Sequence, residues 1–351
     1  MTHDALNFPV PAAERIETVA AVVVTCNRRE LLAQCLDALL AQTRPVDAIY
    51  VIDNASTDGT SEMIAKRYTG RIIYERLPEN TGGAGGFHHG IKRAYEAGYD
   101  WIWAMDDDCI PSHHALKTLV SHINRSATLR PAPTTIEHDT AQSNTNEGAT
   151  AHPTPLLGCT TPNVGFLAPL VMAADGSYEI YHHKRFRSYP FVHQIRTDSW
   201  LKRDLPRSDA CLIEGNGFVG PLINRSAIQK VGLPNPRYFI TWDDTEFTYR
   251  ITRCYSAFLI PKAIVTHLDA IRGIAAKTAI PPWRFYYHWR NRILLSRCVD
   301  SRVGTLLTVL FVMVHGLLGN LLKRRSLMTF NRALAMAIAD GVRGLDGKRY
   351  H

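Results

Sequence analysis

Three observations predict an α/β fold with a mostly parallel central sheet. Short apolar runs and amphipathic runs alternate four times between residues 19 and 108, the pattern of strands joined by crossover helices. The first apolar run, VAAVVV, is unbroken and rich in β-branching, as a strand covered on both faces requires. Every run ends in polar residues, TCNRR, DNAS, ENTGG and DDD, at the strand ends where such sheets bind ligands.

Taken in order, residues 19–24 form the first strand. Leu31, Leu32, Cys35, Leu36, Leu39 and Leu40 then recur at helical spacing over 29–42, and Pro45 stops that helix. AIYVID is the second strand, ending at Asp53, and the turn NASTDGT leads into a helix over 61–68. RIIYERL is the third strand; the glycine-rich NTGGAGGFHHG connects it to the helix IKRAYEAGY, and DWIWAMDDD is the fourth strand. A helix follows over 114–123. Residues 125–155, rich in Thr, Ala, Asn, Ser and Pro and lacking an apolar period, read as a mobile insertion within the domain. Mixed strands and turns fill 163–267, with one helix around WDDTEFTYRI. The expected division is an extension at 1–18, one domain at 19–270, and a helical, basic region at 271–351.

With 351 residues, the chain suits one large α/β domain with an appendage. A hydrophobic content of 46% rules out wholesale disorder. Lys and Arg outnumber Asp and Glu by 40 to 32, a net charge of +8, which suits anionic partners such as a nucleotide or a phospholipid surface. No apolar run follows a basic start in the first twenty residues, so a cytosolic protein without a cleaved signal peptide is expected. The seven cysteines are scattered and form no CxxC pair; reduced, mostly buried thiols are expected. Residues 303–322 are nearly apolar and are followed by Lys323, Arg324 and Arg325. That length just spans a bilayer, yet Gly304, Thr308, His315 and Gly319 give the helix a small, weakly polar side. Core helix, in-plane membrane helix and true span all remain open, and the basic cluster favours contact with a cytoplasmic leaflet.

Asp106, Asp107 and Asp108 end an apolar strand. Carboxylates packed together repel one another unless a cation compensates them, so a divalent metal, Mg²⁺ or Mn²⁺, is the economical reading. A second acidic cluster, Asp243 and Asp244 with Glu246, follows Trp242 in RYFITWDDTEF. Partial desolvation there suits a general base, and the same residues also suit the first turn of a helix. His267 is one of 15 histidines and gains a role as metal ligand only if the fold brings it to the triplet. Gly82, Gly83, Gly85 and Gly86 leave backbone free to approach a diphosphate, though neither a Walker loop nor Rossmann spacing is present. Thr25, Asn27, Arg28 and Asp53, at strand ends, can reach a base and ribose.

VVVTCNRRELL, VIDNASTDGT, NTGGAGG, DDD and WDD, in that order, resemble the family-2 inverting glycosyltransferases, which have the nucleotide-sugar-binding GT-A fold. With MDDD, FITWDDTEF, VTHLDA and YYHWRN, the chain is most similar to the galactofuranosyltransferases and the related rhamnosyltransferases, over residues 19–295. The resemblance implies that Asp53 contacts the uracil or thymine and that Thr25, Asn27 and Arg28 contact the nucleotide. Asp106 and Asp108 would hold the metal with His267, and Asp107 would orient the donor. Asp244 would be the base, Asp243 would hold acceptor hydroxyls, and Trp242 would offer a sugar-stacking face. Asn54 stands where a second acidic residue is common, a departure that bears on base contacts. The expected activity is metal-dependent inverting transfer, from UDP-galactofuranose or dTDP-rhamnose, to a lipid-linked or polymeric bacterial surface glycan by a peripheral protein at an anionic membrane. Nucleic acid is not an expected partner, and oligomerisation is left open. A sugar-phosphate nucleotidyltransferase would need a glycine-rich, basic signature at the first strand, which TCNRRELL lacks. A non-catalytic binding protein would have lost acidic residues that are intact here.

Overall fold

A computed structural model describes residues 17–125, 164–189, 192–196, 209–268, 280–322 and 327–350. Most of the expected extension at 1–18 and insertion at 125–155 lies outside these residues, as do Cys159, Lys323, Arg324 and Arg325.

β1 (Val19–Thr25) is buried at every position. Its side chains alternate between two layers: Val19, Ala21 and Val23 meet Leu36 and Leu39, while Ala20, Val22 and Val24 meet Phe87 and Ile91. That alternation explains the unbroken apolar run, because each face has its own helices. α1 (Arg29–Leu40), β2 (Ala48–Asp53), α2 (Thr60–Arg67), β3 (Ile73–Arg76), α3 (Gly82–Glu96) and β4 (Trp101–Asp106) complete the first half. Strands β3, β2, β1 and β4 lie in that order, all parallel. Thr25 stands opposite Asp53, and Val24 opposite Asp106, so the polar strand ends gather along one edge.

The glycine cluster departs from expectation. It opens α3 instead of forming a loop. A Cβ on Gly86 would stand 2.5 Å from Val24 Cγ1, and one on Gly90 2.4 Å from Val22 Cγ1. The helix thus lies closer to the sheet than a side chain permits, and this packing overrides glycine's poor helix propensity.

The second half is mixed. It comprises β5 (Cys109–Pro111), α4 (Ala115–Arg125), β6 (Val164–Ala173), β7 (His183–Tyr189), β8 (Val192–Arg196), β9 (Cys211–Leu212), β10 (Gly215–Asn216), β11 (Val219–Asn224), α5 (Arg225–Val231), α6 (Asp243–Thr252) and β12 (Ser256–His267). β11 joins β4 to β6 by antiparallel pairing, β12 runs parallel to β6, and β5 and β9 pair antiparallel with β12. β10, β7 and β8 form a small separate sheet.

Among the described residues three helices follow: α7 (Pro282–Val299), α8 (Arg302–Leu322) and α9 (Leu327–Arg343). Phe285, Trp289 and Ile293 share a core with Val312, Phe330 and Leu334, and Phe239 and Ile240 pack against it. α8 buries Gly304, Thr308, Val312, Gly316 and Asn320, one residue in every four. Of the stripe read from the sequence, Gly304 and Thr308 lie on that buried line, Gly319 is half-buried and His315 is exposed. On the other face Leu306, Leu307, Leu310, Phe311, Val314 and Leu317 are 44–58% exposed. α8 is long and apolar enough to cross a membrane, and only 28% of it is buried, so it is a surface helix rather than a core helix. The cysteines are less buried than expected: Cys35, Cys109 and Cys211 are buried, Cys26 is half-buried, and Cys254 and Cys298 are exposed, all as free thiols.

Candidate active site

β4 delivers Asp106 at its end, and the turn into β5 carries Asp107 and Asp108. Thr25 Oγ1 donates to Asp107 Oδ2 at 2.7 Å. Arg28 Nη1 donates to Asp107 Oδ1 at 3.2 Å and to Asp108 Oδ2 at 2.6 Å. The antiparallel pairing of β12 with β5 sets His267 opposite Cys109, which brings His267 Nε2 to 3.3 Å from Asp108 Oδ1. Long-range strand pairing therefore selects this histidine, and no local spacing announces it.

The charges in this cluster are sharply divided. Burial first, then Asp108 and Asp107, push the Asp106 carboxyl well above the usual range. Burial also raises Asp107 to about 6, against the pull of Arg28 and Thr25. For Asp108, burial is outweighed by His267 and Arg28, which hold it below the usual range. His267 rises to about 9 despite burial, because Asp108 and Glu179 face it. Asp108 Oδ1 is buried and accepts no hydrogen bond from any described residue. A carboxylate oxygen left over and facing an imidazole nitrogen, beside further carboxylates, is a donor set that fits a divalent cation of the Mn²⁺ or Mg²⁺ kind.

Sequence reasoning missed Glu179 and His182. Their ligand atoms and that of His267 all lie within 4.8 Å of one another. Glu179 accepts from Tyr181, His182 and His267, and these bonds outweigh burial to hold it at about 2. The pair in EIYHH, an acid three residues before a histidine, was the available signal.

The expected nucleotide-facing residues divide into two groups. Thr25 and Arg28 touch the acidic triplet directly. Asn27 and Asp53 instead brace the neighbouring turn. Asn27 has a left-handed backbone, φ 54°, and its Oδ1 accepts from Thr57 N at 2.7 Å while its own N–H donates to Ser56 Oγ at 2.8 Å. Asp53 is fully buried, with Oδ1 accepting from Ser56 N and Oδ2 from Tyr74 OH. Asn54 donates Nδ2 to Gly82 O and accepts at Oδ1 from Thr81. That clamp needs a donor and an acceptor, which explains the amide where an acid is common. A Cβ on Gly82 would stand 2.0 Å from Phe239 O, whereas Gly83 faces open space.

The second acidic pair opens α6 from a strained turn. Phe239, Thr241 and Trp242 all have positive φ, 66°, 69° and 72°, a costly conformation for bulky residues that persists only where the surroundings impose it. The imposing groups come from YYHWRN. Asn291 Nδ2 donates to the carbonyls of Tyr238, Ile240 and Thr241 at 2.9, 2.7 and 2.9 Å, Arg290 Nη2 donates to Tyr238 O at 2.9 Å, and Trp242 Nε1 donates to His288 O at 3.1 Å. Arg290 and Asn291 are fully buried; two such polar residues in an aromatic helix were the signal for this role. Asp243 is buried, and burial with the adjacent Asp244 charge raises its carboxyl to about 8. Asp244 is only half-buried. Its Oδ1 accepts from Thr245 N and Oγ1, and Oδ2 lies 3.3 Å from where a Cβ on Gly217 would stand.

Comparison with known proteins gives this geometry its family. The glycosyl transferase family 2 profile matches residues 20–155. The galactofuranosyltransferase GlfT1 of Mycolicibacterium smegmatis is 30% identical over 300 residues, covering 80% of this chain and 84% of that protein. The chain belongs to glycosyl transferase family 2. GlfT1 of Mycobacterium tuberculosis is 44% identical over 96 residues, 26% of this chain and 31% of that protein. Among solved structures, GalNAc-T7 with UDP, GalNAc and Mn²⁺ superposes with a TM-score of 0.51 at 13% identity over 81% of this chain. The chain spans 48% of that structure's length. This family 2 glycosyltransferase therefore has the GT-A fold, as its motifs implied.

Proposed function

We propose that the protein is an inverting, cation-dependent galactofuranosyltransferase that moves galactofuranose from UDP-galactofuranose to a lipid-linked or polymeric bacterial surface glycan. The donor reading is supported by the likeness to GlfT1 across most of both chains. The observation that carries the chemistry is the pairing of an acidic triplet, faced by Arg28 and His267, with a second carboxylate, Asp244, that has an oxygen to spare. The two are linked through few side chains: Glu179 Oε2 accepts from both His267 and His182, and His182 Nδ1 lies 3.0 Å from the same Gly217 point that Asp244 Oδ2 approaches.

Asp106, Asp108 and His267 would hold the cation, which when bound offsets charge on the leaving diphosphate. Thr25 and Arg28 fix Asp107, which orients the donor, while Asn27, Asp53, Gly82 and Gly83 shape the nucleotide side. Asp244 Oδ2 takes the proton from the acceptor hydroxyl as that oxygen bonds to the anomeric carbon. The bond to the diphosphate breaks on the opposite face, and configuration inverts. Asp243, protonated near neutrality, donates a hydrogen bond to the acceptor, and Trp242 offers it an apolar face.

The exposed apolar face of α8, with Lys323, Arg324 and Arg325 after it, supports peripheral attachment at the cytoplasmic leaflet. Three basic residues contribute about 1 kcal/mol each, so the apolar face supplies the rest. Sedimentation with anionic and neutral vesicles tests this: partly salt-sensitive binding to anionic vesicles is expected, and negligible binding to both removes the membrane reading. For the donor, UDP-galactofuranose, UDP-galactopyranose and dTDP-rhamnose are compared for hydrolysis and for protection against thermal unfolding. Selective turnover of UDP-galactofuranose is expected; selective use of dTDP-rhamnose would replace the sugar and keep the chemistry.

A further inference from the structure

Glu179 is 2% exposed and precedes the 3-10 turn Ile180–His182. Its N–H donates to Val171 O at 3.0 Å, which seats it against β6. A buried carboxylate is costly unless donors converge on it. Three converge on one of its two oxygens, Oε2: His267 Nδ1 at 2.8 Å, Tyr181 OH at 2.9 Å and His182 Nε2 at 3.0 Å. The two imidazoles meet edge to face at 5.2 Å, so the carboxylate and both rings form one packed unit.

The consequence for His267 comes from the two unlike nitrogens of imidazole. A carboxylate only accepts, so the nitrogen facing Glu179 carries a proton. Nε2 is then the nitrogen left for a cation, and it faces the buried Asp108 Oδ1 at 3.3 Å, an oxygen with no hydrogen-bond partner among the described residues. A cation entering between them takes the place of the proton on Nε2, and Nδ1 keeps its own proton toward Glu179. We propose that Glu179 is the positioning residue of the cation site, setting the tautomer and orientation of His267 so that Nε2 and Asp108 Oδ1 stand as a ready pair of ligands. The inference rests on the reading of Asp106, Asp108 and His267 as cation ligands. Outer partners of this kind fix ligand geometry, and their loss costs about 10–100-fold in metal affinity. Through His182 the same carboxylate also sets the wall at Gly217 that Asp244 faces.

The test measures Mn²⁺ binding to the full chain by electron paramagnetic resonance, without sugar donor, beside the thermal unfolding midpoint of each metal-free variant. Glu179→Gln preserves size but no longer dictates a proton on Nδ1. It should bind Mn²⁺ about 10–100-fold more weakly while its unfolding midpoint stays near that of the unaltered chain. His182→Gln leaves the bond from His267 to Glu179 in place and should bind Mn²⁺ with little change. If Glu179→Gln does not fold, Glu179→Asp serves instead; it keeps the charge, shortens the reach, and should show an intermediate loss. Undiminished Mn²⁺ affinity in Glu179→Gln, with affinity lost in Asp108→Ala, overturns the positioning role and leaves the cation site standing. Undiminished affinity in both Asp108→Ala and His267→Ala overturns the cation site itself. Equal losses in Glu179→Gln and His182→Gln with none in Asp108→Ala move the ion onto Glu179, His182 and His267, and overturn both.

Discussion

The two acidic clusters face opposite electrostatic problems. At the end of β4, Asp107 and Asp108 are met by Arg28, and Asp108 also by His267. At the start of α6, Asp243 makes no ion pair among the described residues, and its proton affinity rises under burial and its neighbour's charge. Asp244 is half-exposed, and its Oδ1 accepts from Thr245. Where cations face a carboxylate, as at Asp108, its charge is held in place; where burial and a like charge dominate, as at Asp243, its proton affinity rises. Residue type is the same in both clusters; the neighbours decide between ligand and base.

The sharpest way to break that division is Asp244→Asn, which keeps size and polarity but cannot accept the proton. Turnover should fall by roughly 10² to 10⁴ while donor binding survives. If Asp243→Asn is the dead variant and Asp244→Asn stays active, the two roles are exchanged. On the other side, Asp108→Ala removes a ligand and strands His267. Mn²⁺ affinity should drop by more than the roughly 10–100-fold expected for an outer partner, and full turnover in excess EDTA would remove the cation from the account.

Asn291→Ala probes the scaffold under the second cluster. It leaves the carbonyls of Ile240 and Thr241 without this donor, while Tyr238 O keeps Arg290 Nη2, and a loss of about 1–3 kcal/mol in urea unfolding is expected. Unchanged stability would mean that the turn holds itself. The most gradual effect, small at any one pH step, concerns a buried group with no opposite charge to compensate it. Burial lowers His183 from an ordinary 6.5 to about 3, with Nδ1 bonded to Asn216 Oδ1 at 2.7 Å. Its contribution to stability is complete above pH 6.5 and is lost as pH falls toward 3, because only the unfolded chain takes up the proton. The slope in that window is at most about 1.4 kcal/mol per pH unit, and His183→Gln should flatten it.

The parallel half of the sheet was legible because its signals are local. β-branched runs, helical spacing and polar strand ends fall within a few residues of one another, and the acidic residues lie on these same segments. The glycines misled because a loop and a close-packed helix make the same demand, the absence of a Cβ, and only Val22 and Val24 on the sheet distinguish them. His267 came from family likeness, since its partner Asp108 reaches it through β12 pairing with β5. The spacing in EIYHH was the one local sign of Glu179, and its role stayed hidden for the same reason: its bond to His267 spans 88 residues. Arg290 and Asn291 stand within the motif YYHWRN, but their task depends on a turn that lies 50 residues earlier in the chain.

That last separation has a consequence for the order of events on the ribosome. The central sheet has its final strand once His267 is made, yet the donor that fixes Thr241 and the turn into Asp244 arrives only with Asn291. Translation at roughly 5–20 residues per second leaves an interval on the order of seconds between the two. During that interval the nascent chain can build its sheet while the turn bearing the base is still unclamped. The late helix α7 thus sets the moment at which a folded chain becomes a competent one.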